Sequence, residues 1–111
     1  MSGPALPPDP RTMEGLRARH EQILAVAAEH GASNVRVIGS VARGEAAVTS
    51  DVDLYVDLED RGEGFAYYQR LLDLRRALSR LLRCKVDVVP ASDHSTNPVL
   101  HRMARRDAQR L

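Results

Sequence analysis

Residues 39–58 read GSVARGEAAVTSDVDLYVDL. The short run Val35 to Ile38 ahead of it predicts a strand that ends in the Gly39-Ser40 turn. Ten residues separate Ser40 from Asp51-Val52-Asp53, which opens a second strand running to Leu58. Side chains two apart on a strand share a face, so Asp51 and Asp53 point together while Val52, Leu54 and Val56 point the other way. Two carboxylates a few Å apart repel by about 4 kcal/mol at an effective dielectric near 20. A small domain seldom keeps such a pair without a cation to neutralise it, and ligands made only of oxygen favour Mg²⁺ or Mn²⁺.

The rest of the chain is read outward from that stretch. Residues 1–8 (MSGPALPP) predict a disordered leader, and residues 9–111 a single domain. A first helix is expected from Asp9 as N-cap, with Pro10 at the first helical position, to a C-terminal stop at Gly31. Met13, Leu16, Ile23, Leu24 and Ala27 form its apolar stripe. A short helix over Val41 to Gly44 would place Ser40 at a helix N-terminus, and 45–50 is expected to be a loop. Phe65 to Arg83 predicts the second long helix, with Phe65, Tyr68, Leu71, Leu72, Leu78, Leu81 and Leu82 as its apolar face. Lys85 to Val89 is the third strand: Val86 and Val88 take one face, Lys85 and Asp87 the other, and Pro90 stops it. A loop over 91–97 and a final helix over Pro98 to Arg110 follow. The alternation α-β-α-β-α-β-α predicts an α/β (α+β) domain with helices covering a small sheet.

Composition narrows the function classes. The 111 residues are 43% hydrophobic and 28% charged, with a net charge of +1, so no whole-molecule field argues for nucleic acid or a membrane surface. The single cysteine, Cys84, excludes an internal disulfide and a cysteine metal cluster. The N-terminus lacks the basic region and apolar core of a signal peptide, and no apolar run approaches the ~20 residues that span a bilayer. A cytoplasmic location is the expectation. His94 and His101 have no metal-ligand spacing and are expected at the surface. The tail HRMARRDAQR carries Arg102, Arg105, Arg106 and Arg110 with no interleaved aromatic, so a solvated or partner-contacting helix is expected rather than nucleic-acid binding.

If the three strands are neighbours, three features converge. Gly39 and Ser40 offer close backbone approach and a hydroxyl to a phosphate. Arg43 offers a guanidinium suited to phosphate oxygens. Asp51, Asp53 and Asp87 offer a carboxylate triangle. A phosphate cradle beside metal carboxylates means phosphoryl or nucleotidyl transfer, and two ions about 3.5–4 Å apart would clamp the attacking and leaving oxygens.

The full set — Gly39-Ser40, ten residues, Asp51-x-Asp53, with Gly-Ser-x-x-Arg-Gly at 39–44 and the later Val-Asp-Val-Val — closely resembles the nucleotidyltransferase superfamily that includes DNA polymerase β. The short chain resembles its minimal branch, the MntA-like antitoxins. The resemblance implies a three- to four-stranded mixed sheet flanked by helices. It implies that Asp51 and Asp53 hold Mg²⁺ with the nucleotide, that Asp87 completes a second Mg²⁺ site and helps deprotonate the acceptor, and that Gly39, Ser40 and Arg43 grip the β- and γ-phosphates. It also implies ATP as substrate and, as partner in a hetero-oligomer, a HEPN-family ribonuclease toxin that receives AMP on a tyrosine. Two alternatives stay open: an antitoxin that acts by binding alone, and a small-molecule nucleotidyltransferase of the aminoglycoside kind.

Overall fold

The computed structural model describes residues 9–46, 51–92 and 98–111, so the expected leader, most of the 45–50 and 91–97 loops and His94 lie outside the described residues. Two short helices, α1 (Met13–Ala18) and α2 (His20–Glu29), lead into β1 (Ala32–Ile38). A single turn, α3 (Gly39–Ala42), precedes β2 (Val52–Leu58). Then come α4 (Phe65–Leu82), β3 (Val86–Pro90), α5 (Pro98–Asp107) and the two-residue β4 (Gln109–Arg110).

The first helix differs from expectation at its start and its middle. Thr12, not Asp9, is the N-cap: its hydroxyl accepts from the Gly15 amide at 2.9 Å. Asp9 instead builds the preceding turn, where its carbonyl accepts from the Thr12 amide and hydroxyl. The helix then breaks at Arg19. The Arg19 guanidinium takes the Gly15 carbonyl at 2.8 Å, the acceptor an uninterrupted helix would offer the Arg19 amide, and that amide bonds Leu16 one position closer. Gly31, at φ +74, ends α2 as the sequence predicts.

The sheet has the order β3-β2-β1-β4. β1 runs antiparallel to β2, with Ile38 opposite Asp53, and β2 runs parallel to β3, with Asp53 opposite Asp87. The sheet is therefore mixed, and the three expected strands are neighbours. The parallel pair requires a crossover, which α4 supplies. β1 begins three residues earlier than expected, at Ala32, with a register shift between Ser33 and Arg36 next to Asn34 at φ 49.

One face of the sheet carries the main core. Val52, Leu54, Val56 and Val88 pack under α1, α2 and α4. The buried side of α4 is Leu71, Leu74, Leu78 and Leu82; Phe65, Tyr68 and Leu72, expected on that side, are exposed, as is Leu24 of α2. The leucine-rich helix offers two overlapping stripes, and the sheet selects the one that runs from Leu71 to Leu82. The opposite face carries a smaller cluster of Ile38, Tyr55 and Val89 under Ala104 of α5.

The last helix is shorter than expected. It stops at Asp107, and Gln109 and Arg110 pair antiparallel with Val37 and Arg36. His101, expected at the surface, is 8% exposed and shares a 2.9 Å hydrogen bond with the Tyr55 hydroxyl. Among the described residues no helix is long and apolar enough to cross a membrane.

Candidate active site

Strand alternation puts Arg36 and Ile38 of β1, Asp53, Tyr55 and Asp57 of β2, and Asp87 and Val89 of β3 on the face that α5 covers. Asp53 and Asp87 are direct partners on adjacent strands, whose backbones lie about 4.8 Å apart. Gly39 closes on them from the end of β1. It has φ +73, and a Cβ built there would stand 2.7 Å from Asp53 Oδ2. A side chain is thus excluded twice, by backbone conformation and by the carboxylate itself. Ser40 follows in the first turn of α3, so the Gly-Ser turn and Asp53 are immediate neighbours, as the spacing predicts.

Electrostatics identifies Asp53 as the focus. Burial raises its pKa above the ordinary carboxylate value, and the charges of Asp87 and then Asp51 raise it further. Asp53 therefore feels the charge of both other carboxylates. Asp51 stands just before β2, with Lys85 Nζ 3.6 Å from its Oδ2. Asp87 is held by Arg75, which reaches round the sheet edge from α4: Nε lies 3.1 Å from Asp87 Oδ1 and Nη2 donates to the Val88 carbonyl. The same Oδ1 accepts from the Val88 amide at 2.9 Å.

These contacts bear on whether a divalent cation fits. The donor set is all oxygen and carries a surplus of negative charge around Asp53, which is what Mg²⁺ requires. Among the described residues, however, no three His, Cys, Asp or Glu side chains stand ready as a ligand cluster. Lys85 and Arg75 occupy the positions of counter-ions to Asp51 and Asp87, so a cation would take over their neutralising role. The residues fit such an ion in kind, with the outer two carboxylates turned toward resident cations.

Arg43 caps α3 and is split between two carboxylates, Glu45 Oε2 at 3.0 Å and Asp107 Oδ2 at 3.1 Å. It stands near enough to Asp53 to oppose the rise in that group's pKa. Sequence reading missed Asp107, Gln109 and Arg75. Gln109 Nε2 donates to the Ala42 carbonyl, so the C-terminal segment holds α3 from behind. The Asp107–Arg43 contact spans 64 positions, and no local signal in the sequence announces it. A hollow of about 540 Å³ beside Gly31, Ser33 and Leu58 lies at the other end of β2 from Asp53.

Residues 20–109 match the family model of the nucleotidyltransferase domain. A solved protein whose assignment as a minimal nucleotidyltransferase is itself provisional is 40% identical over 98% of this chain and 100% of its own, with a TM-score of 0.70. A toxin–antitoxin crystal structure with AMP-PNP is 20% identical over 81% of this chain and 69% of its own, with a TM-score of 0.65, a likeness of fold. No curated protein sequence matches the chain. The matched span holds the Gly-Ser turn, Asp51 just before β2, and Asp53 and Asp87 on neighbouring strands, and this chain belongs to the nucleotidyltransferase domain family.

Proposed function

We propose that this protein is a Mg²⁺-dependent adenylyltransferase that moves AMP from ATP to a tyrosine hydroxyl of a HEPN-type ribonuclease toxin, as the antitoxin of the pair. The observation that carries the reading is Asp53 paired with Asp87 and abutting the Gly39-Ser40 turn, which sets two carboxylates beside a glycine turn that opens a helix. The structural neighbour solved as a toxin–antitoxin with AMP-PNP supports the substrate and the partner class.

Ser40 and Arg43 hold the β- and γ-phosphates, Arg43 by turning from Glu45 and Asp107 to the phosphate oxygens. Asp51, Asp53 and Asp87 would hold the cations. When bound, these ions neutralise charge on the triphosphate and lower the pKa of the acceptor hydroxyl. The tyrosine oxygen forms a bond to the α-phosphorus, the bond from that phosphorus to the bridging oxygen breaks, and pyrophosphate leaves with the electron pair. Asp87 takes the hydroxyl proton and passes it to water, which its half-exposed position allows.

One observation favours a second reading. Lys85 and Arg75 already neutralise Asp51 and Asp87, as they would in a site that no longer takes ions and serves only to bind the toxin. The deciding experiment incubates the protein with its co-encoded toxin, ATP and Mg²⁺, and weighs the toxin by intact mass spectrometry. An AMP-sized gain that EDTA abolishes is expected. An unmodified toxin still neutralised in cells by the Asp51→Ala/Asp53→Ala protein would refute the catalytic reading.

A further inference from the structure

The last helix has an outer face that the reaction scheme leaves unused. Val99 and Met103, one turn apart, are about half exposed; Arg102 and Arg106 flank them on the same face, and Arg105 is exposed further round the helix. None of these three arginines makes a hydrogen bond or ion pair with any described residue. The inner face of the same helix is tied to the sheet by the His101–Tyr55 hydrogen bond and by Ala104. Its end is tied to the phosphate-gripping residue through Asp107 and Arg43. Arg105 also borders a cleft of about 240 Å³ over Tyr55, one side-chain row from Asp53. A partner that presents a hydroxyl to Asp53 and Asp87 must approach this face of the sheet, and α5 flanks that approach.

We propose that the outer face of α5 is the docking surface for the acceptor protein, through an acidic segment beside the modified hydroxyl; this rests on the reading that the acceptor is a protein. Charge decides the sign of the partner: three guanidinium groups within two helical turns, unpaired among the described residues, call for carboxylates. The centre of the patch decides its class. A methionine and a valine flanked by Arg102 and Arg106 match the composition of protein interfaces, where Met and Arg are enriched. Single-stranded nucleic acid would call for exposed aromatic rings to stack bases, and α5 has none.

The probes are a fluorescent poly(Glu,Tyr) copolymer and a fluorescent oligouridine, with binding read by anisotropy. Two double reversals carry the same change in net charge: Arg102→Glu/Arg106→Glu on α5, and Arg76→Glu/Arg80→Glu on the exposed side of α4, across the sheet. The α5 pair is expected to weaken copolymer binding about tenfold or more and the α4 pair less than about twofold. Met103→Ser, which leaves charge unchanged, is expected to weaken it several-fold. All these side chains are exposed, so the melting temperature should stay close to that of the parent. Equal losses from the two reversals, no copolymer binding, or tighter binding to oligouridine that the α5 pair abolishes would each overturn the proposal. AMP transfer to the copolymer tyrosines, followed in the same samples, separates the two readings. Absent transfer with α5-dependent binding counts against the transferase alone; transfer with α5-independent binding counts against the surface alone.

Discussion

Gly39 and Gly44 make a matched pair. Both have positive φ, +73 and +72, but a Cβ at Gly39 would lie 2.7 Å from Asp53 Oδ2, whereas one at Gly44 meets nothing within 4 Å among the described residues. Alanine at either position incurs the left-handed backbone cost of about 1–2 kcal/mol. At Gly39 the Asp53 carboxyl must also rotate away, at about 0.5–1.5 kcal/mol for an off-rotamer χ. Gly39→Ala should therefore destabilise by about 1 kcal/mol more than Gly44→Ala, a gap of about 4–8 °C in melting temperature for a domain near this size. The functional gap should be wider. Misplacing a reacting group by ~1 Å can cost about 10²-fold, so nucleotidyl transfer, assayed well below both midpoints, should fall about that much in Gly39→Ala. Gly44→Ala should stay within a few-fold of the parent protein. Thermal melts, single-turnover transfer assays and a cycle with Asp53→Ala, which removes the clashing oxygen, measure both effects. Identical melting temperatures and rates for the two alanine variants would show that the turn does not set the position of Asp53.

Three other perturbations test separate links. Asp53 has a raised pKa in the folded state, so its contribution to stability is present in acid and lost as pH rises through that value; metal-free Asp53→Asn should melt a few degrees above the parent at neutral pH, the gap closing below the ordinary carboxylate range, and scanning fluorimetry in EDTA from acid to neutral pH checks this. Arg43→Ala breaks two solvent-screened ion pairs, so it should move the melting temperature little while raising the nucleotide KM about tenfold; an unchanged KM would remove Arg43 from the phosphate grip. Tyr55→Phe deletes the hydroxyl bonded to His101 in a buried setting and should cost about 1 kcal/mol, read as a drop of several degrees in a thermal melt with transfer intact at low temperature.

The strands and the Gly-Ser turn were legible because short-range rules determine them. Period-two alternation assigns Asp53 and Asp87 to one face whatever their partners are, and a glycine before a serine at a strand end needs only a positive φ. The register that sets Asp53 opposite Asp87 is a further step: the crossover through α4 makes the pair parallel, and the packing of the buried face then selects the pairing. Where the rules gave two equal answers, the sequence could not choose. On α4, leucines at 71, 72, 74, 78, 81 and 82 satisfy more than one helical stripe, and only the shape of the sheet selects 71, 74, 78 and 82. The histidine at 101 reads as polar and solvent-facing until Tyr55 on a distant strand offers its hydroxyl.

The tail shows the same limit more sharply. Residues 98–110 have helical periodicity throughout, yet the helix ends at Asp107. A carboxylate at a helix C-terminus opposes the macrodipole, so local physics argues against placing it there. Arg43 resolves the conflict by supplying the counter-charge at 3.1 Å, and Gln109 and Arg110 gain more by pairing with β1 than by extending the helix with two exposed residues. The same contact that ends the helix therefore fixes the guanidinium assigned to the phosphates. When Arg43 turns to a triphosphate, Asp107 loses its partner at the dipole's negative end, and the final turn of α5 should loosen. Hydrogen exchange at residues 104–108 should accordingly quicken in the parent protein on adding ATP, and this response should vanish in Asp107→Asn. Exchange that slows or stays constant on nucleotide addition would mean that Arg43 keeps its ion pair and grips nothing.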